Sequence, residues 1–236
     1  MSKTQIPTGG IADDAISEEH LDATAITGHT ALAESPADTD EFLISDGGTL
    51  KRLDAQYVGG GTFVPLSTIS STSDTTTHTF SDVFTSTYAN YFILCHHCRL
   101  ATDNEKIICR IRSASGQFTT TSYNLAATGY RNGSSAGDVA FSNTNGGGWD
   151  ITTNIDNSNS DVGRATFFMY VTTPNSTTFV TDIIGQASYR KESTDRSVAN
   201  FSGTVNSKTA FTGIDFLTSS GDIAQFNATC YGIKTS

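Results

Sequence analysis

Asn90-Tyr91-Phe92-Ile93-Leu94-Cys95-His96-His97-Cys98-Arg99-Leu100, followed after Ala101-Thr102-Asp103-Asn104-Glu105 by Lys106-Ile107-Ile108-Cys109-Arg110-Ile111-Arg112-Ser113, is the stretch whose reading decides the fold. Both runs are rich in β-branched, aromatic and aliphatic residues, and polar turn formers separate them, which is how two neighbouring strands read. A hairpin with Asp103-Asn104 at its tip sets Cys98 opposite Cys109, Leu100 opposite Ile107 and His96 opposite Ile111. That makes one coherent apolar face. The longest purely apolar run, Tyr91 to Cys95, is far short of the roughly 20 residues a membrane helix needs.

Cys95-His96-His97-Cys98 has the CxxC spacing of a zinc-ligand pair. Side chains alternate faces along a strand, so Cys95 lies with His97 and Cys98 with His96 unless a bulge or turn intervenes. The other cysteines, Cys109 and Cys230, supply no second CxxC. The expectation is therefore structural cysteines and no metal. A Cys98–Cys109 disulfide is geometrically conceivable, and so is a pair of packed thiols.

Outward from this stretch, short Thr, Val, Ile, Tyr and Phe runs recur between Gly, Asn, Asp and Ser clusters. Thr (37) and Ser (27) make up over a quarter of the 236 residues, which disfavours a helical bundle. The pattern predicts a mainly β, antiparallel, jelly-roll-like sandwich with strands near 62–66, 77–84, 90–100, 106–113, 119–127, 138–143, 165–173, 178–189, 197–204, 209–217 and 223–234. Loops are expected at 129–137, 143–163 and 190–196.

Three loop tips carry candidate ligand-binding residues. Trp149, the single tryptophan, follows Gly146-Gly147-Gly148 with Asn143, Asn145 and Asp150 nearby. An indole beside amides and a carboxylate suits a sugar surface, and the alternative is a ring folded back onto the sandwich. Tyr130 with Arg131, and Tyr189 with Arg190, are aromatic-plus-arginine tips of the kind enriched in interaction hot spots.

The first 58 residues differ from the rest. They hold 11 acids against Lys3, Lys51 and Arg52, a charge of −8 out of the chain's −10, and the composition shifts at Gly59-Gly60-Gly61. The expected division is a leading segment, 1–58, and a sandwich, 59–236. Residues 11–34 read as short helical turns containing Ile11, Ile16 and Leu21. Glu41-Phe42-Leu43-Ile44-Ser45 and Thr49-Leu50-Lys51-Arg52-Leu53 read as a hairpin around Asp46-Gly47-Gly48. Each element is too small to be stable alone, so Ile11, Ile16, Leu21, Phe42, Ile44, Leu50 and Leu53 are expected to order by packing on copies of the chain or on a larger assembly.

Ile11-Ala12-Asp13-Asp14-Ala15-Ile16, with Asp40-Glu41-Phe42-Leu43-Ile44-Ser45-Asp46-Gly47-Gly48-Thr49-Leu50-Lys51-Arg52-Leu53, resembles the leading segments of fibre and other virion surface proteins of tailed bacteriophages, marine phages especially. Tyr91-Phe92-Ile93, Ala101 to Glu105, Arg110-Ile111-Arg112 and the closing Tyr231-Gly232-Ile233-Lys234 are similar to the β-rich distal domain of such proteins. The resemblance implies a homotrimeric virion component, assembled in the host bacterial cytoplasm and attached to other virion proteins through residues 1–58. The expected function is a short tail fibre whose sandwich recognises host surface polysaccharide, the alternative a capsid decoration, head-fibre or adaptor protein.

Other classes find little support. The acidic balance is the wrong sign for coating phosphate backbones, so no nucleic-acid partner is expected. No membrane insertion, export signal or cofactor is expected either. No GxxxxGK[ST] loop occurs, and Gly133-Ser134-Ser135-Ala136-Gly137, which has G-x-S-x-G spacing, falls in an expected loop between strands and not on a strand-to-helix elbow. Scattered acids such as Asp138, Asp150, Asp156, Asp161 and Asp182 do not single out a glycosidase pair, and the chain is not expected to be an enzyme.

Overall fold

The computed structural model describes residues 28–30, 32, 36–37, 39–58, 62–132, 136–155, 164–190 and 195–234. The expected helical turns with Ile11, Ile16 and Leu21 lie outside them. The chain divides into two compact units, Met1–Gly60 and Gly61–Ser236.

In the first unit, β1 (Glu41–Asp46) pairs antiparallel with β2 (Thr49–Asp54), Phe42 opposite Leu53 and Ile44 opposite Lys51. Gly47 and Gly48 form the tip at φ 58° and 84°, the left-handed values that a two-residue turn needs and glycine adopts without strain. Exposed ion pairs Lys51–Asp46 (2.5 Å) and Arg52–Glu41 (2.9 Å) tie the strands. Phe42 and Leu43 are exposed, so this hairpin buries little on its own.

The second unit is an antiparallel β-sandwich. Its strands are β3 (Phe63–Ser71), β4 (Thr77–Phe80), β5 (Asn90–Leu100), β6 (Ile107–Ser113), β7 (Gly116–Gln117), β8 (Tyr123–Arg131), β9 (Gly137–Gly146), β10 (Trp149–Asp150), β11 (Arg164–Thr172), β12 (Thr181–Arg190), β13 (Arg196–Val205), β14 (Gly213–Thr218) and β15 (Ile223–Ile233). An eight-stranded sheet runs β3-β15-β5-β11-β12-β13-β8-β9; a smaller one runs β10-β6-β14-β4, with β7 on β6. Edge strand β3 contains Pro65, and its pairing with β15 is broken by a bulge at Cys230/Tyr231.

The two sheets share one interior. β11, with exposed and buried residues in strict alternation, sends Ala165, Phe167, Met169 and Val171 inward, and β15 sends Phe226, Ala228 and Cys230. Phe216 of β14 meets Phe167 and Phe226 at centroid distances of 5.3 and 5.2 Å. Buried tyrosines hold loops against this interior through their hydroxyls. Tyr91 donates to the Thr85 carbonyl and accepts its N–H; Tyr123 donates to Phe118 O (2.7 Å) and accepts the Ile111 N–H.

The expected hairpin of 90–100 with 106–113 does not form. β5 belongs to the large sheet and β6 to the small one, and the chain passes between them with Asn104 at φ 63° and Glu105 bridged to Ile155. Both runs carry an apolar face, and opposing those faces across the interior buries more than aligning them in one ladder. Cys98 and Cys109 thus enter the interior from different sheets. A bulge at His96, where Cys95 and Cys98 successively face Phe167 and Ala165, turns both sulfurs of the CxxC inward.

Asp215 is fully buried, accepting from Arg112 Nη1 at 2.9 and 3.1 Å and from Thr79 Oγ1 at 2.6 Å. Removing the carboxylate strips a guanidinium of its partner, although Arg112 is partly solvated. Asp215→Ala should therefore cost about 2 to 4 kcal/mol in urea unfolding, and Asp215→Asn less, because it keeps an acceptor.

Candidate functional site

On the outer side of the large sheet, alternation predicts polar residues, yet Phe92 and Leu94 of β5, Phe168 and Tyr170 of β11 and Ile184 of β12 stand there. Phe168 is 37% exposed, Tyr170 36% and Ile184 58%. Phe92 lies 5.0 Å from Tyr170 and 6.1 Å from Phe168 between ring centroids, and Phe63 (5.2 Å) and Tyr231 (6.2 Å) extend the cluster. Single exposed apolar residues are ordinary, but a connected set marks a surface that meets something.

Beside these large side chains, four outward positions of β8 and β13 are small or polar: Ala126, Thr128, Asn200 and Ser202. The step in height makes a groove of about 530 Å³ between Phe168, Tyr170 and Ile184 on one side and Asn200 and Ser202 on the other. Across it Gln186 Nε2 donates to Asn200 Oδ1 at 2.8 Å, which leaves the Gln186 carbonyl and the Asn200 amide N–H groups to face a ligand. Gly185 underlies the groove; a Cβ there would sit 2.2 Å from the Phe168 carbonyl and 2.7 Å from the Phe201 ring, so only glycine lets Phe201 fill the space beneath. A polar depression of about 320 Å³ lined by Asn124, Asn143, Asp182 and Thr204 adjoins the groove at Ala126 and Ser202.

The sequence candidates divide. Trp149 is a buried residue of β10, its Nε1 donating to Thr204 O at 3.2 Å and its ring edge-on to Tyr123 at 5.0 Å. It offers no ring to a sugar, which corrects the loop-tip reading. The triple glycine before it carries the chain from the large sheet to the small one at close quarters: a Cβ on Gly148 would lie 2.7 Å from Ile108. Neighbouring Asp150 is paired with Lys106. Tyr189 also departs from expectation. It alternates inward on β12 and is buried, its hydroxyl accepting the Thr153 N–H at 3.1 Å. Tyr130 is 58% exposed and shares an end of the large sheet with Arg131 and Arg190, all three on strands rather than loop tips. In the first unit Phe42, Ile44 and Leu53 lie on the hairpin strands; Leu50 belongs to β2, and its side chain lies outside the described residues.

The groove is built on strands, away from the loop tips to which the aromatic and arginine pattern points. One signal was present: in Ala165-Thr166-Phe167-Phe168-Met169-Tyr170-Val171 nearly every residue is apolar on both faces, which a strand with one solvated side does not need.

All four cysteines are free and buried. A hydrogen bond with Cys95, together with burial, holds the Cys98 thiol well above the usual range, and burial does the same to Cys109 and pushes Cys230 up to about 12. His97 Nε2 lies 2.7 Å from Gln225 Oε1. Among the described residues no three His, Cys, Asp or Glu side chains converge on a cation-sized site.

No protein-family model, curated protein or solved structure matches the chain.

Trp149→Ala should destabilise the fold by about 3 to 5 kcal/mol in chemical denaturation, the cost of an emptied aromatic site, without altering the outer face. The thiols give a second expectation: none reacts with a disulfide reagent in the native protein, and four react after denaturation. Cys230 ionises from 9.0 when unfolded but only near 12 when folded, so the unfolded chain loses a proton that the native one keeps. Stability therefore falls as pH rises through that window, and Cys230→Ala should flatten the alkaline limb of a melting-temperature profile.

Proposed function

We propose that the protein is a surface component of a tailed-bacteriophage virion, a short homotrimeric fibre whose residues 1–58 join other virion proteins and whose jelly-roll-like sandwich, 59–236, engages polysaccharide on the host cell. The observation that carries the recognition half is the groove, where the Phe168 and Tyr170 rings face the free valences of the Gln186–Asn200 amide pair. Aromatic rings take the apolar face of a sugar while amides and hydroxyls bond its edge, and the adjoining Asn-, Asp- and Thr-lined depression continues the same chemistry. The reading needs no catalyst, metal or cofactor.

The attachment half rests on the resemblance of the leading segment, on its −8 charge, and on a hairpin whose Phe42 and Leu43 are exposed when it stands alone. Copies of the segment meeting three-fold would give those side chains partners. A second reading, a capsid decoration or adaptor protein, is favoured by the Phe63, Phe92 and Tyr231 cluster, which suits contact between subunits as well as a sugar platform.

Light scattering on the full chain should give about 75 kDa, three chains of 25.0 kDa. Phe168→Ala with Tyr170→Ala should lower adsorption to host cells about tenfold or more while that mass is kept, because a small loss per site is multiplied over linked heads. Particle density on the capsid lattice rather than at the tail, with adsorption unchanged, would select the structural role.

A further inference from the structure

One end of the outer face carries a row of arginines contributed by four neighbouring strands. The β5–β11 register places Arg99 opposite Arg164, and the β12–β13 register places Arg190 opposite Arg196. The β11–β12 register, with Thr166 opposite Ser188, continued by two residues brings Arg164 level with Arg190. Directly opposed residues share a sheet face, and each arginine is in phase with the outward residues of its strand: Arg164 with Phe168, Arg190 with Gln186, Arg196 with Asn200. Arg99 falls between inward Cys98 and Leu100. At about 4.8 Å per strand, the four span roughly 15 Å.

Like charges directly opposite one another weaken a sheet, so this row is a cost that folding alone does not explain. Among the described residues no carboxylate forms an ion pair with Arg99, Arg164 or Arg196, while Arg190 has interactions of its own. Amides flank the row: Gln225 lies opposite Arg99, and Asn132 Oδ1 accepts the Arg196 N–H at 2.8 Å. Among the described residues the nearest outward acid along the sheet, Asp138 opposite Tyr130, is two strands beyond Arg196, and Asp195, next to Arg196 in the chain, is buried with interactions of its own.

The row and the groove are connected. A depression of about 200 Å³, lined by His96, Thr166, Phe168, Gln186 and Ser188, shares Phe168 and Gln186 with the groove and extends toward the arginines. Gln186 and Arg190 are four residues apart on β12, about 13 Å. One extended ligand therefore reaches both.

The geometry points to an anion-binding row that makes the ligand an acidic polysaccharide, its phosphate or carboxylate groups held by Arg99, Arg164, Arg190 and Arg196 and its neutral part lying in the groove. This deepens the glycan reading of the groove and rests on it. Planar guanidinium forks bind such oxyanions through paired hydrogen bonds, and a line of them suits a polymer whose charges recur along its length. A duplex nucleic acid fits less well: the chain carries −10 overall, and a ring-and-amide groove does not track a phosphate backbone.

The test is binding of the full-length protein to polygalacturonate (carboxylate), phosphomannan (phosphate), neutral dextran and duplex DNA. One charged polysaccharide should bind more tightly than dextran and weaken as salt rises, and whichever arm wins identifies the anion. Arg164→Gln with Arg196→Gln should weaken that binding about tenfold or more without lowering the melting temperature, since a repulsion is relieved. Arg99→Gln alone gives a smaller loss and serves if the double variant misfolds. Equal binding of charged and neutral polymers, unchanged binding in the arginine variants, or preference for DNA overturns the proposal. The glycan reading is separable. If Phe168→Ala with Tyr170→Ala leaves host adsorption intact while the arginine variants lose polymer binding, the anion row stands and the receptor role falls. If the groove variants lose adsorption and the arginine variants bind as before, the anion row falls alone.

Discussion

Contact between Phe216 of the small sheet and Phe167 and Phe226 of the large one is the interaction on which the rest of the sandwich depends. A sheet with one apolar face is unstable in water until another layer covers it, and here the cover is supplied by strands that begin as sequence neighbours of those they cover. β5 passes into β6 and β9 into β10 by leaving one sheet for the other, so each crossing brings a large side chain inward: Ile107 after the first, Trp149 after the second. The buried tyrosine hydroxyls then hold the crossings and loops to this interior. With one face of the large sheet committed to the core, the geometry of its other face is rigid, and a shallow groove there is preformed.

Strand existence was legible because the period-two pattern of burial is written in each segment; β11 and β12 alternate without a fault. Partners were not legible. Asp103-Asn104 looks like a hairpin turn, and nothing local says that the two apolar faces will oppose each other across a core instead of lying side by side. Trp149 is misleading for a related reason: three glycines suggest a free loop, and only the closeness of Ile108 and the Cys109 carbonyl of β6 to Gly148 reveals a tight passage there. Tyr189 lay in phase with Ala187 on the inward face, so alternation alone would have removed it from the binding candidates. The bulge at His96 defeated alternation in the opposite direction, bringing both CxxC sulfurs inward.

The outer-face features are products of register. Phe168, Gln186 and Asn200 come from β11, β12 and β13, consecutive strands that are also neighbours in the sheet, whereas Arg99 comes from β5, far earlier in the chain, and strand order sets it beside Arg164 of β11. Polar depression, aromatic groove, smaller depression and cationic row succeed one another across one surface, so its chemistry changes along the sheet from amide to ring to charge. A polymer with mixed character can match such a gradient in one direction only, which gives the face a polarity that an evenly apolar patch lacks.

The ends of the large sheet matter for a different reason. A free edge is a template on which another chain can add a strand, and an eight-stranded sheet offers two of them. At β3 that template is spoiled: Pro65 brings no N–H to either side, and the bulge beside it, where Leu66 is the extra residue, puts the remaining donors and acceptors out of step. Lateral fibril growth from this side is therefore frustrated even when many chains are crowded together, and copies are left to meet through side-chain surfaces, where geometry can limit their number.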